Sequence, residues 1–429
     1  MGLEGPVISA VVSRLAEPKT NLAAFGGLLF PLALIIEAPI IMMLAASTAL
    51  CRDWTSYLKL RRFMNGLGAT LTALHIIMVA TPVYYLLARD VIHAPEEIIE
   101  PARVGLFIMI PWTWSIAYRR FHQGVLIRFG HSLKVGLGTA VRLAADVTVL
   151  AVCYFVGGVP GIAVAAGALV AGVLTEALYV HLVVQKTLRD ELKPAPRLGR
   201  PLSTKAMLDF YIPLSLTQLL VIVASPIGSA AMSRMPLALE SLAAWPVVSG
   251  VNFIFRGFGG AYNEVVVALI EEKRAMRAMR RVALGLGVAA TAALMILMVP
   301  PIAEAIFEDL LHLAEPLPSM VWQSLFILLP MPAIAVAESY FQGAILYSRR
   351  TRSITESVGM FLGLATLILL GGVLWGAVTG LYVALFAFLA GELLRTLWLW
   401  IRSRAVRRDL NAAMTPPARY PSPGIADRL

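Results

Sequence analysis

The stretch PIGSAAMSRMPLALESLAAWPVVSGVNFIFRGFGGAYNE, residues 226–264, decides the fold because the chain contains a second version of it. Residues 6–25, PVISAVVSRLAEPKTNLAAF, match it at an offset of 220 positions, so that Arg14 corresponds to Arg234. Pro, Ser and Ala positions are shared as well as the arginine. The match indicates that the chain is built from an internal duplication.

A second match follows at an offset of 219 positions. Residues 107–127 reappear as residues 326–346, and a Gln-Gly pair at Gln123 is repeated at Gln342. Two matches in the same order and at nearly the same offset predict two halves with the same architecture.

The composition is that of a membrane protein. Hydrophobic residues make up 59% of the 429 and charged residues 14%, whereas about a quarter of the residues of a soluble domain are charged. The mean hydropathy is +0.77. Apolar runs of about 20 residues, enough to cross the hydrocarbon core, recur along the chain. The sequence therefore predicts an all-α polytopic membrane protein.

The apolar runs predict twelve helices, and the basic residues predict their orientation. Of the 36 Lys and Arg residues, 26 fall in alternate connections, which by the positive-inside rule places these connections and the C-terminus in the cytoplasm, with the protein in the inner membrane. This distribution explains the net charge of +10 without a nucleic-acid partner. The predicted helices are 1–15, 19–49, 63–88, 103–127, 133–157, 159–186, 206–233, 238–270, 282–306, 317–347, 353–376 and 378–401.

The domain organisation follows from these helices. Residues 1–186 form a first six-helix bundle, and residues 206–403 form a second. A charged, Pro-containing cytoplasmic linker, 187–205, joins them, and the Pro-rich tail 404–429 is expected to be disordered. Because each half has an even number of helices and the same loop polarity, the two bundles should be parallel and related by a pseudo-twofold axis along the membrane normal.

The first helix is shorter than its counterpart. Only five residues precede Pro6, whereas the equivalent helix runs for about twenty residues before Pro226. A helix that stops within the bilayer leaves backbone groups unsatisfied. The sequence is therefore expected to lack part of helix one, with the natural protein beginning upstream of Met1.

Helix eight carries the main candidate site. Asn252, Arg256 and Asn263 share one helical face, and Glu264 lies beside it. An intramembrane arginine is costly and suggests an anion ligand, because its guanidinium stays charged. At an offset of 219 its counterpart is Glu37, so the two either face each other across a cleft or are each satisfied within their own bundle.

Other polar residues extend the candidate site. Gln218 and Ser225 share a face of helix seven and line the predicted cleft, although small residues also serve helix packing. Arg142 and Asp146, four residues apart, are expected to neutralise each other or to relay protons. The candidates for coupling transport to H+ or Na+ are Glu37, Glu264, Asp146 and Arg142.

Several functional classes lack sequence support. The two cysteines, Cys51 and Cys153, have no metal-ligand spacing, and the six histidines do not cluster. None of the motifs of zinc proteases, serine hydrolases or P-loop ATPases occurs. We therefore expect neither a metal site nor a bound cofactor, and no enzymatic activity.

The pattern resembles the multidrug/oligosaccharidyl-lipid/polysaccharide (MOP) exporter superfamily, which includes the multidrug and toxic compound extrusion (MATE) transporters. Two parallel sets of six helices, Pro213 in helix seven and Gln-Gly at the exit of helix four carry this resemblance. Within the superfamily, residues 207–216, 225–234 and 243–250 look most like the progressive ankylosis protein and its bacterial relatives.

The resemblance implies a V-shaped transporter in which helices one, two, seven and eight line the cleft. It also implies a monomeric secondary active transporter that exports a small, organic and anionic solute by rocking its two halves. The alternatives are a flippase for lipids or lipid-linked oligosaccharides and a cation-coupled multidrug efflux pump. Substrate, coupling ion and direction are not determined by the sequence.

Overall fold

The computed structural model describes residues 4–196, 201–269, 275–347 and 352–413, and the regular elements of this part are all helical. Twelve principal helices follow the predicted order. The first half contains α1 (Glu4–Val12), α2 (Pro18–Leu50), α3 (Trp54–Ala80), α4 (Glu96–Ile108 and Ile110–Arg128), α5 (Ser132–Val156) and α6 (Gly161–Thr187). The second contains α7 (Thr204–Met232), α8 (Ala238–Leu269), α9 (Ala275–Leu297), α10 (Leu317–Leu328 and Met331–Tyr347), α11 (Arg352–Trp375) and α12 (Gly380–Ala413).

The lengths and compositions of these helices confirm a polytopic membrane protein. Within the described ranges, nine helices are long and apolar enough to cross a bilayer, and the two segments of α10, bent by 40°, make a tenth. The nine residues of α1 are fewer than the roughly 20 that a span requires. The second segment of α4 carries three arginines: Arg119, Arg120 and Arg128.

Three helices begin well before their predicted starts: α3, α4 and α9, the last at Ala275 rather than at 282. The predicted basic loop 50–62 ends at Asp53, whose carboxylate accepts a hydrogen bond of 2.7 Å from the Ser56 N–H. Ser56 caps the Asp53 backbone in return, which makes a capping box and starts α3 at Trp54. The first segment of α4 begins at Glu96, inside the stretch expected to be an external loop. The charged residues at these positions concealed the helical periodicity.

The last helix also differs from its prediction. Residues 404–413, expected to be disordered, continue α12. Two arginines are held on aromatic rings there: Arg404 lies 3.6 Å above the Trp400 ring centroid, and Arg407 lies 4.9 Å from that of Phe341. These cation–π contacts tie the end of α12 to itself and to α10. The remaining tail, 414–429, and part of the linker, 197–200, lie outside the described residues.

Each half is organised around one helix. In the first half, α4 packs on α2, α3 and α6, and α5 packs on α6. In the second half, α10 packs on α8, α9 and α12 in the corresponding way, and α11 packs on α12. The halves meet where α1 and α2 contact α8 and where α2 contacts α7. The halves thus meet through α1, α2, α7 and α8, the four helices expected to line the cleft.

The connections lie at two ends of the molecule. Contacts between the connections divide them into two groups. His131, after α4, lies 2.6 Å from Glu191, after α6, and the end that carries the connections after the even-numbered helices is here called the basic end. Arg14, after α1, contacts Leu310, after α9, and the end that carries the connections after the odd-numbered helices is here called the opposite end. At the opposite end, short π-helical segments, Leu86–Ile92 and Ala305–Leu310, occupy equivalent places in the two halves.

Candidate functional site

A cavity of about 390 Å³, here called the central cavity, lies between the halves. Its wall from the first half carries charged side chains: Glu4, Glu37, Arg119, Arg120 and Arg142. Its wall from the second half is uncharged and includes Ser225, Trp245, Ser249 and Phe253. The cavity is lined by α1, α2, α4, α5 and α6 of the first half and by α7 and α8 of the second, so neither half encloses it alone.

Close contacts between α8 and the helices α1 and α2 form part of the wall of this cavity. A Cβ on Gly26 of α2 would lie only 2.6 Å from Cδ of Pro246 on α8, and a Cβ on Gly250 of α8 would lie 2.8 Å from Cδ of Pro6 on α1. Only glycine permits such close approach. Gly26, Gly250 and Pro246 all line the cavity, so the crossing of α1 and α2 with α8 forms part of its wall.

A buried network holds Arg119 in the cavity wall. Its Nη1 donates to Glu176 Oε2 at 2.6 Å, and Gln123 Nε2 donates to Glu176 Oε1 at 2.8 Å. Arg119 is 2% exposed and Glu176 is fully buried. Both carboxylate oxygens are therefore occupied. The predicted helix 103–127 includes Arg119 but treats it as part of a basic exit, whereas the structure buries it against Glu176.

Arg142 has a different principal partner from the one predicted. It shares a helical face with Asp146, but their closest atoms are 4.0 Å apart, whereas Arg142 Nη2 donates to Glu4 Oε2 at 2.8 Å. Arg142 Nη1 is also 3.9 Å from Glu176 Oε2. Asp146 is 1% exposed, and neither carboxylate oxygen has a hydrogen-bond partner among the described residues. The expected mutual neutralisation is therefore weak.

Glu37 and Arg120 are the cavity's less constrained charges. Glu37 is buried, and its Oε1 has no hydrogen-bond partner in the described part of the chain. The cations that act on it are Arg119, Arg120 and Arg142, all from its own half. Arg120 is half-buried, and its Nε, like those of Arg119 and Arg142, has no hydrogen-bond partner among the described residues. Unlike those two arginines, Arg120 forms no ion pair with a described carboxylate.

Arg256 does not meet Glu37 in this structure. Its Nη1 donates to Glu392 Oε1 at 2.6 Å, and its Nη2 is 3.7 Å from Glu338 Oε2. Arg395 is 2.7 Å from Glu338 and 3.6 Å from Glu392. Two arginines and two glutamates thus form a closed ring of ion pairs within the second half. Arg256 is therefore satisfied within its own bundle, whereas Glu37 Oε1 has no hydrogen-bond partner among the described residues.

A second cavity of about 430 Å³ surrounds one side of this ring. It is lined by Arg256, Asn263 and Glu338, and it shares Phe253 with the central cavity. Asn263 Nδ2 donates to the Ser339 carbonyl at 3.0 Å. Phe253 therefore stands where the two cavities adjoin, and Glu37 and Arg256 lie on its two sides.

The remaining predicted residues are more scattered. Ser225 lines the central cavity, whereas Asn252 and Gln218 are half-buried and line neither cavity. The side chain of Glu264 lies outside the described residues. No group of three or more His, Cys, Asp or Glu suited to a metal ion occurs in the described ranges.

The sequence did contain a signal for Arg119. At the offset of 219 positions that relates Glu37 to Arg256, Arg119 corresponds to Glu338. At both pairs of positions the sign of charge is reversed between the halves. Each half therefore has arginine–glutamate pairs at equivalent positions but forms them between different helices. A search of the repeat for positions at which the charge is reversed would have found both Glu37/Arg256 and Arg119/Glu338.

A pair of equivalent arginines joins the halves at the opposite end. Arg14, after α1, donates to the carbonyls of Asp309 and Leu310 in the second half. Arg234, after α7, donates to the carbonyls of Val91 at 2.7 Å and Ile92 at 3.0 Å in the first half. Lys19 and Glu240 form an ion pair at the same end. The halves are closed against each other there.

Comparison with known proteins identifies the fold. No family model matches the sequence, and no curated protein matches it. The inward-facing conformation of a multidrug resistance MATE family transporter of the MOP superfamily superposes with a TM-score of 0.73 over 95% of this chain and 96% of that one, at 17% identity. The lipid II flippase MurJ, in an inward closed conformation, also gives a TM-score of 0.73, at 14% identity and over 96% and 88% of the two chains.

A third solved structure is a MOP superfamily transporter from Pyrococcus furiosus, described as having a binding pocket of reverse polarity that suggests a different function. It superposes with a TM-score of 0.61 over 95% of both chains, at 18% identity. These likenesses confirm the predicted fold class, two parallel six-helix bundles in a membrane. The chain has the fold of the MATE transporters of the MOP superfamily.

Proposed function

We propose that the chain is a secondary active transporter that exports a small organic anion by alternating access through the central cavity. The observation that carries this proposal is Arg120. Arg119 and Arg142 each have a carboxylate within 2.8 Å, whereas no carboxylate of the described residues forms an ion pair with Arg120, whose Nε is also buried without a partner there. The cavity wall thus retains a guanidinium that a substrate anion can satisfy.

The chemistry of arginine supports an anionic substrate. A guanidinium stays charged at physiological pH and presents N–H groups that match a carboxylate or a phosphate. Glu37 is the acid that acts most strongly on Arg120. An arriving anion would compete with Glu37 for Arg120, and a displaced Glu37 can then take up a proton. Glu37 is therefore our first candidate for coupling, ahead of Asp146, Arg142 and Glu264.

The closed opposite end supports alternating access. By the positive-inside rule, the basic end lies in the cytoplasm with the C-terminus, and the protein lies in the inner membrane. The central cavity is then closed from the outside by Arg14 and Arg234. Rocking of the two bundles would break these contacts and open the other side. Because both walls of the cavity come from one chain, a monomer suffices.

A lipid-linked substrate is the second candidate. The likeness to the MurJ flippase, at a TM-score of 0.73, favours it, and a pyrophosphate headgroup would also satisfy Arg120. Arg256 and Asn263, in the adjoining second cavity, would then contact the part of the substrate beyond Phe253. The two candidates differ in substrate size and share the requirement for Arg120.

Uptake into proteoliposomes tests the proposal. The purified full-length protein is assayed with radiolabelled citrate, pyrophosphate and nucleotide, with a lipid-linked oligosaccharide, and with a cationic dye. Arg120→Ala should reduce anion transport at least about tenfold, because a hydrogen bond to a charged group contributes about 1.5–3 kcal/mol. Arg62→Ala removes an exposed arginine from α3 and serves as the control. Transport of the dye alone, unaffected by Arg120→Ala, would contradict the proposal.

A further inference from the structure

A second feature lies on the outer surface of the second half, between α9, α10 and α12. It is a groove of about 460 Å³ that shares no lining residue with the central cavity. Small side chains form its floor: Ala283, Gly287, Ala333 and Ala337. Its rim includes Leu284 and Val288, whose exposed fractions of 61% and 69% show that the groove opens away from the protein. In a membrane this surface faces lipid.

Arginines gather at the basic end of this groove. Arg280 of α9 and Arg407 of α12 line it, and Arg404 lies close enough to act on Arg407 as a like charge. Within the described ranges no acidic side chain forms an ion pair with any of the three. Like charges held close together repel one another, so an anion bound between these arginines would be stabilised.

Arg407 is held in place rather than free in solvent. Its Nε donates to Ser403 Oγ and its Nη2 to the Trp400 carbonyl, both at 3.1 Å. Its guanidinium lies 4.9 Å from the Phe341 ring centroid. Trp400 and Phe341 also line the groove. Aromatic residues beside arginines at a helix end are typical of the interface between hydrocarbon and headgroups.

We propose that this groove binds an anionic phospholipid. The phosphate would pair with Arg280 and Arg407, and one acyl chain would lie along the small residues of α9 and α10. Basic pockets between membrane helices recognise such headgroups because the low dielectric strengthens the pairing. A soluble anion would leave the apolar floor uncovered, and a zwitterionic lipid would leave the arginine charge uncompensated. The bound lipid ties together three helices of one half.

Quenching of tryptophan fluorescence tests this site. The full-length protein is reconstituted into phosphatidylcholine nanodiscs that contain increasing amounts of phosphatidylglycerol with brominated acyl chains. Bromine quenches nearby indoles, and Trp400 reports on the groove. Because the chain has 8 tryptophans, the signal of Trp400 is taken as the difference from Trp400→Phe. We expect saturable quenching of this component by phosphatidylglycerol and none of comparable affinity by brominated phosphatidylcholine.

Variants separate the groove from general surface charge. Arg280→Gln with Arg407→Gln should weaken phosphatidylglycerol binding about 25-fold, since each arginine near an anionic headgroup contributes roughly fivefold. Gly287→Leu should abolish it by filling the floor without a change in charge. Arg52→Gln with Arg62→Gln removes two exposed arginines from the same end of the first half and should have no effect. Equal losses in both arginine pairs, or equal quenching by the two lipids, would overturn the proposal.

Discussion

Arg14 and Arg234, 220 positions apart in the two copies of the repeat, each donate hydrogen bonds to backbone carbonyls of the half to which they do not belong. Both acceptor segments are the ends of π-helical turns, at Leu310 and at Val91 and Ile92. The contacts are reciprocal, as the pseudo-twofold axis requires. The arginine that the duplication repeats therefore holds the halves together at the opposite end in both copies.

We predict that Arg14→Ala combined with Arg234→Ala opens the opposite end. Hydrogen bonds from charged donors contribute about 1.5–3 kcal/mol when buried, and these partly exposed ones contribute less. Spin labels at Asp90→Cys and Glu308→Cys, in a protein without Cys51 and Cys153, would report the separation of the two π-helical turns. We expect a longer distance to become populated.

The control for this experiment is Arg62→Ala, at the basic end, which should leave the distance distribution unchanged. Each single arginine variant should give an intermediate population, because the two contacts are equivalent and lie in different places. A distribution identical to that of the unmodified protein in the double variant would show that the arginines do not hold the closed state.

Gly26 and Gly66 provide a matched pair of helical glycines. A Cβ at Gly26 would lie 2.6 Å from Cδ of Pro246, whereas nothing lies within 4 Å of a Cβ at Gly66. We predict that Gly26→Ala lowers the melting temperature or forces α2 away from α8, whereas Gly66→Ala stabilises by about 0.5–1 kcal/mol through helix propensity. Thermal unfolding in detergent measures both.

Both changes add the same methyl group, so Gly66→Ala measures the gain from helix propensity alone. We expect Gly26→Ala to lower the melting temperature by more than Gly66→Ala raises it. If the two variants shifted the melting temperature equally, the contact between α2 and α8 would not be tight in the state that unfolds.

The sequence predicted the number and order of the helices because the bilayer sets the length of the apolar runs and the distribution of basic residues in the connections. It failed where charged residues belong to a helix. Arg119 was counted with the basic exit of helix four, whereas it is buried and paired with Glu176, which also accepts from Gln123. Helix periodicity does not record partners that are distant in the chain.

The candidate site was predicted in part. Glu37 and Ser225 line the central cavity as expected of cleft residues. The repeat relates Glu37 to Arg256 at an offset of 219 positions, but equivalent positions need not be neighbours. Arg256 has Glu338 and Glu392 within its own half, and these acids reach it from α10 and α12. Only the three-dimensional packing brings them together.

We predict that Glu176→Gln destabilises the protein strongly. Glu176 is fully buried and accepts from both Arg119 and Gln123, so its loss leaves a buried guanidinium without its carboxylate. Removal of one partner of a buried ion pair costs about 3–5 kcal/mol. The melting temperature should fall well below that of Glu97→Gln, an exposed control. Similar values for the two variants would show that water or another acid compensates Arg119.

The ion-pair ring of the second half distinguishes a structural from a substrate-binding role for Arg256. Arg256→Gln should lower the melting temperature, because Glu392 and Glu338 then share only Arg395. Adding Glu392→Gln removes the excess negative charge and should recover most of that loss. If Arg256 also contacts substrate from the second cavity, transport stays low in the double variant although its stability returns. Recovery of both properties together would assign Arg256 to structure alone, and the substrate would then be held by Arg120.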